Sequence, residues 1–269
     1  DATGSLEFAA REWSSDPPPK DLFGARVRFT GIGLSLGQNE QGPLLDVPNG
    51  SFMEIINRGV ADPFEAPLTT TAAIKERTVP AVERIRVKGV VVGIVDDALY
   101  VRDGMAAIHV QLESPLQSNH KLEGASLNGT VIGDEVEIVG SPLRPAKDAD
   151  VEPFDLVNAL VRVTGHQETV DPVEATLPDL ATGAHDSDVV LTRGRLLSEQ
   201  QLPQADGEWR STMIIESRGI RLPVVYGGHT HGAFDTLKID DEITVKALVN
   251  RATSRQPQSL WVMAPSDVK

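Results

Sequence analysis

The chain has 269 residues, with 25 Lys and Arg against 39 Asp and Glu, a net charge of −14. A surface this acidic repels nucleic acid and anionic lipid, because binding either one needs Lys and Arg to displace counterions. The 40% hydrophobic content suits a folded chain, and the absence of cysteine excludes disulfide frameworks, thiolate metal sites and cysteine nucleophiles.

Asp1 opens a polar stretch without the charged and apolar regions of a signal peptide. No apolar run approaches the ~20 residues that span a bilayer, so no transmembrane segment is predicted. The first strand with clear alternation is Gly24-Ala25-Arg26-Val27-Arg28-Phe29-Thr30-Gly31. The same form returns 109 residues later at Gly133-Asp134-Glu135-Val136-Glu137-Ile138-Val139-Gly140. It returns again after a further 107 residues at Asp240-Asp241-Glu242-Ile243-Thr244-Val245-Lys246-Ala247. Similar strands at a near-constant spacing predict tandem units, here 1–75, 76–170 and 171–269. Segments 67–74 and 175–181 obey the same period and read as connectors.

The second unit predicts strands at 85–92, 98–102, 107–112, 136–139 and 157–163. Gly89 sits where a barrel strand would bend. Asp103-Gly104 is a hairpin turn signal. The third unit predicts strands at 189–196, 212–216, 220–226, 243–249 and 260–263. Five short strands with a longer third connection are the pattern of an OB-fold. The predicted fold is therefore all-β: tandem OB-fold-like five-stranded Greek-key barrels, the N-terminal unit incomplete. Its core should hold Val87, Val101, Val110, Val136, Ile138, Ile215, Leu222, Ile243 and Val245.

In the first unit, the counterpart of Ile85 would precede residue 1. Residues 6–10 then match the third strand, 25–30 the fourth, and 52–56 lie near the fifth. Leu6, Phe8, Val27 and Phe29 are expected to line a half-barrel. Upstream residues, the second unit or a separate subunit would complete it, since open sheet edges are normally covered.

Three clusters carry candidate chemistry. His229, His231 and Asp235 have the spacing of a three-ligand metal site, although the flanking glycines favour a plain loop. Tyr100, Arg102, His109 and Gln111 alternate outward from two hairpin-linked strands. That is the face on which OB-folds bind oligonucleotides and oligosaccharides. One tyrosine is a thin stacking platform, so an ordinary solvent face is the plainer expectation. The acidic runs Asp96-Asp97 and Asp240-Asp241-Glu242 lack EF-hand spacing and read as turns. Gly31, Gly33 and Gly37 imitate a dinucleotide loop but lead into no helix. No G-x-S-x-G, Walker A or H-E-x-x-H motif is present, so neither catalysis nor a cofactor is expected.

The run LYVRDGMAAIHVQL, with GDEVEIVG and FDLVNALVRVTG, resembles tandem OB-fold modules of bacterial envelope proteins. It is similar in this to the extracytoplasmic sensor regions of planctomycete-type histidine kinases, where such modules occur. The likeness covers 21–268, and segments 67–74 and 173–183 resemble the connectors found there. It implies a non-enzymatic binding or scaffolding protein, periplasmic or otherwise extracytoplasmic. Such a protein would take a protein partner, either as an accessory subunit of a membrane-protein complex or as the sensing region of an envelope receptor. The alternative is a single-stranded nucleic-acid binder using Arg84, Arg86, Lys88 and Arg102. A metal-dependent hydrolase built on His229 and His231 ranks last.

Overall fold

The computed structural model describes residues 7–12, 25–34, 44–59, 62–79, 84–95, 98–104, 106–112, 126–127, 129–143, 154–204, 207–228, 231–252 and 257–269. None of its described helices is long and apolar enough to cross a membrane.

The first unit contains β1 (Glu7–Glu12), β2 (Arg26–Phe29), β3 (Ile32–Leu34), β4 (Leu44–Asn49) and β5 (Met53–Asn57). β2 pairs antiparallel with β5, and β3 antiparallel with β4. These strands make one long kinked hairpin. β1 lies parallel to β4, with Phe8 opposite Leu45. This is the arrangement of OB strands three, five and four, as the repeat predicts.

A short 3₁₀ turn (Pro63–Glu65) and α1 (Thr71–Lys75) lead into the second barrel. That barrel is built from β6 (Ile85–Val95), β7 (Ala98–Asp103) and β8 (Ala106–Leu112). A small ladder, β9 (Ser126–Leu127) with β10 (Thr130–Val131), precedes β11 (Asp134–Pro142) and β12 (Leu156–His166). The strands close in the order β6-β7-β8-β12-β11, with β8 and β12 parallel. In strand positions this is one-two-three-five-four, the OB ring. Inward alternation buries Val87, Val101, Val110 and Ile138 completely.

β13 (Val173–Glu174) and α2 (Leu177–Ala181) introduce the third barrel of β14 (Val189–Pro203), β15 (Trp209–Ser217), β16 (Ile220–Gly228), β17 (Glu242–Asn250) and β18 (Ser259–Trp261). β14 and β17 also pair, so the ring closes in the same order. Ile215, Leu222, Ile243 and Val245 are buried as predicted.

The connectors are part of the barrels. Thr70 and Thr176 cap α1 and α2, each accepting a hydrogen bond from the third helical N–H. Asp179 completes a capping box with Thr176. Each helix then sends apolar side chains into the barrel that follows it: Ile74 into the second, Leu177 and Leu180 into the third. Just before each helix the chain bridges the next barrel's first strand in parallel, at Leu68–Arg86 and at Val173–Val190. Residues 68–75 thus pack with the second unit, and a boundary at 75/76 divides what the packing joins.

Candidate functional site

The four residues expected to offer an outward ligand face are Tyr100, Arg102, His109 and Gln111. Tyr100 and Arg102 point out of the barrel on β7, His109 and Gln111 on β8, as alternation requires. Outward, however, does not mean exposed. Tyr100 retains 3% of its accessible surface and His109 8%. Tyr100 packs in an apolar cluster with Val92 and Ala107 of its own barrel and Val189 and Leu248 of the third. Val95, Val170 and Trp261 border the cluster. The third barrel therefore covers the outer face of strands one to three of the second. Only Gln111 of the four is exposed.

The Gly93 backbone meets the Leu248 side chain where the barrels touch. A Cβ placed on Gly93 would stand 3.2 Å from the Leu248 side chain. Gly89, by contrast, serves its own barrel: a Cβ there would lie 2.6 Å from the Arg102 carbonyl oxygen. A side chain is excluded at Gly89, where the strand bends, whereas one at Gly93 would press on the Leu248 methyl groups of the neighbouring barrel.

Polar contacts ring the apolar centre. Arg102 pairs with Asp188 at 3.2 Å and donates to the Asp171 carbonyl at 2.8 Å. Arg251 lies 3.4 Å from both Asp155 and Asp186. The Lys75 ammonium donates to the Asp186 carbonyl at 2.5 Å. Asp155 is tied to His109 twice: its carboxylate accepts the His109 N–H at 3.0 Å, and its own N–H donates to the His109 carbonyl at 2.8 Å. Three cations and three carboxylates thus meet between the barrels. Burial pushes the Asp155 and Asp188 carboxyls above the usual carboxylate range, against the pull of Arg251 and Arg102. Burial also lowers the Lys75 ammonium. Their pairing offsets part of the cost of withdrawing these charges from water, and burial still outweighs it.

The basic residues proposed for a nucleic-acid groove have partners of their own. Glu137, buried on β11, lies 2.8 Å from Lys88 and 3.5 Å from Arg86, and it accepts from Arg162. Hydrogen bonds from Lys88 and Arg162 hold its carboxyl down to about 2. Arg162 also stacks over Phe64 at 4.1 Å, which fastens the linker from the first unit to the second barrel. Arg102 is occupied by Asp188. Arg84 lies just ahead of β6.

Of the three metal candidates, the structure describes His231 and Asp235. His229 falls outside the described residues. The exposed His231 ring meets Trp209 edge-on at 4.2 Å, and Asp235 accepts from Gln201 at 3.4 Å. Among the described residues no group of three His, Asp or Glu is arranged to hold a metal ion. Asp240 pairs with Arg195 at 3.2 Å, and Asp241 accepts the Lys238 N–H at 2.8 Å, so both serve the turn before β17. Asp96, Asp97 and Gly37 lie outside the described residues.

The half-barrel supplies a second surface. Val27 lies opposite Ile55 and Phe29 opposite Met53, and all four are half-buried. The matching positions of the closed barrels are sealed: Val136 and Ile243 keep 1%, Ile138 and Val245 none. Ile32, Phe52 and Ile56 are 65%, 42% and 42% exposed. Neither β1 nor the β2–β3 side has a second strand partner among the described residues. Phe8 sits on β1, and Leu6 lies outside the described residues.

Sequence reasoning missed the second wall of the joint: Lys75, Asp155, Asp186, Asp188, Val189, Leu248 and Arg251. One signal was available. Ala247-Leu248-Val249 and Val90-Val91-Val92 are continuous apolar runs, and a strand covered on both faces reads that way.

No family model matches the sequence, and no curated protein is similar to it. Solved structures give weak likenesses. A single-stranded DNA binding protein from Thermus aquaticus is 14% identical, with coverage of 69% of this chain and 91% of that one and a TM-score of 0.26. The SSB domain of a Synechococcus protein is 19% identical, with coverage of 28% and 89% and a TM-score of 0.24. A putative aspartyl-tRNA synthetase from Leishmania major is 15% identical at a TM-score of 0.28, with 36% of this chain and only 21% of the synthetase covered. The OB assignment rests on strand order, which both closed rings carry in full.

Proposed function

We propose that the protein is a non-enzymatic binding scaffold of tandem OB barrels. It would act outside the cytoplasm, as an accessory part of a membrane-associated assembly or as the sensing region of an envelope receptor. The observation that carries this reading is the buried position of Tyr100 and His109. The face with which an OB barrel takes an oligonucleotide here holds another barrel. Arg86, Lys88, Arg102 and Arg162 are each paired with carboxylates, which leaves little charge for phosphates, and the net charge opposes their approach. The sequence resemblance to envelope modules supports the location.

Fluorescence anisotropy with labelled single-stranded oligonucleotides at low salt tests the scaffold reading, which expects no saturable binding at micromolar protein. Fractionation of the native cell tests the location, and recovery in the cytosol alone would overturn it. A second reading, single-strand nucleic-acid binding, is favoured by one feature of the third barrel. Its own strand-two and strand-three face carries exposed Arg210 and Arg221. Salt-sensitive oligonucleotide binding that is lost in Arg210→Ala and Arg221→Ala would establish that reading instead.

A further inference from the structure

We propose that the outer face of the β2–β5 ribbon docks a second copy of this chain, the two copies exchanging Arg28–Glu54 pairs about a twofold axis. Alternation sets this face. Val27 and Phe29 turn inward opposite Ile55 and Met53, so Arg28 and Glu54 stand opposite each other on the outside. They pair at 2.7 Å, yet their side chains keep 66% and 63% of their surface. Phe52, whose carbonyl accepts the Thr30 N–H at 2.9 Å, borders the pair at one end. Ile56, at the bulge beside Arg26, borders it at the other. Ile32 follows Thr30 on β3, and all three apolar side chains are exposed.

The same place in the second barrel shows that this face can carry a contact. One repeat period on, Arg28 falls at Glu137 and Glu54 at Arg162, which are again opposite partners. There the chain's own segment 62–65 lies on the pair. The Phe64 ring sits 4.1 Å from the Arg162 guanidinium, and the Asp62 carboxylate 3.8 Å from it. Val139, which alternates outward from Ile138, is left with no accessible surface.

Three observations select a second copy for the first unit. The patch is self-complementary. Arg28 and Glu54 stand side by side on neighbouring strands, so a twofold axis along the ribbon sets each Arg28 over Glu54 of the other copy. Charge agrees: Arg26 and Arg28 outnumber Glu54, so the face escapes the acidic repulsion between two chains that each carry −14. Apolar surface agrees too. Of the nine large apolar side chains exposed among the described residues, Ile32, Phe52 and Ile56 gather around this one pair, and withdrawing them from water drives association. A two-stranded face is small, which fits a reversible dimer with a dissociation constant of about 10–100 micromolar.

Sedimentation velocity of the 269-residue chain tests this, in about 0.15 M salt and over about 5–500 micromolar protein. The average mass should rise from one chain towards two. Arg28→Glu and Glu54→Arg chains should each stay monomeric, since one presents two carboxylates on the face and the other two cations. Exposed ion pairs contribute little to folding, so both should keep the native circular dichroism. Mixed in equal amounts, the two variants should associate again, because their unlike faces match. Phe52→Ser, which leaves the charges alone, should weaken the dimer roughly tenfold. A chain that stays monomeric at the highest concentration would overturn the proposal. So would association that charge reversal leaves unchanged, or a mixture of the two variants that fails to recover it. The test concerns the first unit alone, so its failure leaves the barrel joint and the scaffold reading untouched.

Discussion

The Tyr100 ring lies flat on that of His109, with 4.3 Å between centroids and 12° between planes. His109 in turn meets Phe154 at 4.3 Å. A stacked aromatic pair on the strand-two and strand-three face is what a base- or sugar-binding barrel would display. Here Tyr100 is buried against Val189 and Leu248 of the third barrel, and His109 is buried beside it against Phe154.

Tyr100→Ala should therefore behave as a core truncation. Loss of the buried ring is expected to cost on the order of 3 kcal/mol in denaturant unfolding. It should also raise protease sensitivity between the barrels, around residues 167–172. An exposed platform residue would change stability by only about 0.5 kcal/mol or less.

Arg102 and Asp188 should be energetically coupled across the joint. Their side chains keep 15% and 4% of their surface, so solvent screens the pair weakly. A double-mutant cycle of Arg102→Met and Asp188→Asn is expected to return a coupling of roughly 1–3 kcal/mol. Additive effects would place the two barrels apart in solution.

Glu137 makes the second barrel acid-sensitive in a defined window. Its carboxyl is held near 2 by Lys88 and Arg162. The folded state therefore binds a proton less readily than the unfolded chain. The stabilisation is complete above the ordinary glutamate range and is lost as pH falls through about 2. Glu137→Gln should lower stability at pH 7 by roughly 1.5–3 kcal/mol. It should also flatten the pH dependence between about 5 and 2, read by chemical denaturation at a series of pH values.

Much of this architecture is legible in the sequence. Val136, Ile138, Ile243 and Val245 alternate cleanly, and the repeat carries them onto Val27 and Phe29. Alternation also turns Tyr100 and His109 away from the barrel interior. It cannot say what lies outside, because a strand pattern records which face a residue takes and not what covers that face. The continuous run Ala247-Leu248-Val249 held that information. The two five-residue helices are too short for a helical period, though Thr176 and Asp179 already spell a capping box. The ion cluster was hidden because Lys75, Asp155, Asp186 and Arg251 come from four separate connections that only the folded barrels bring together.

Matching valines offer a comparison within one molecule. Val136→Ala removes two methyl groups from a sealed core and should cost about 2 kcal/mol. Val27→Ala, at the same repeat position in the half-barrel, should cost under about half as much in the 1–269 chain. Unfolding midpoints of the two variants, followed by tryptophan fluorescence and circular dichroism together, give the comparison. Equal losses would mean that Val27 is already fully covered.

The joint itself is tested most directly by nuclear Overhauser contacts between Gly93 and Leu248 in a methyl-labelled sample. A Cβ on Gly93 would stand 3.2 and 3.3 Å from the two Leu248 methyl carbons. Strong cross-peaks from the Gly93 α-protons to those methyls are expected, together with a single rotational correlation time for both barrels. Absent cross-peaks with independently tumbling barrels would contradict the joint and return the Tyr100 face to solvent.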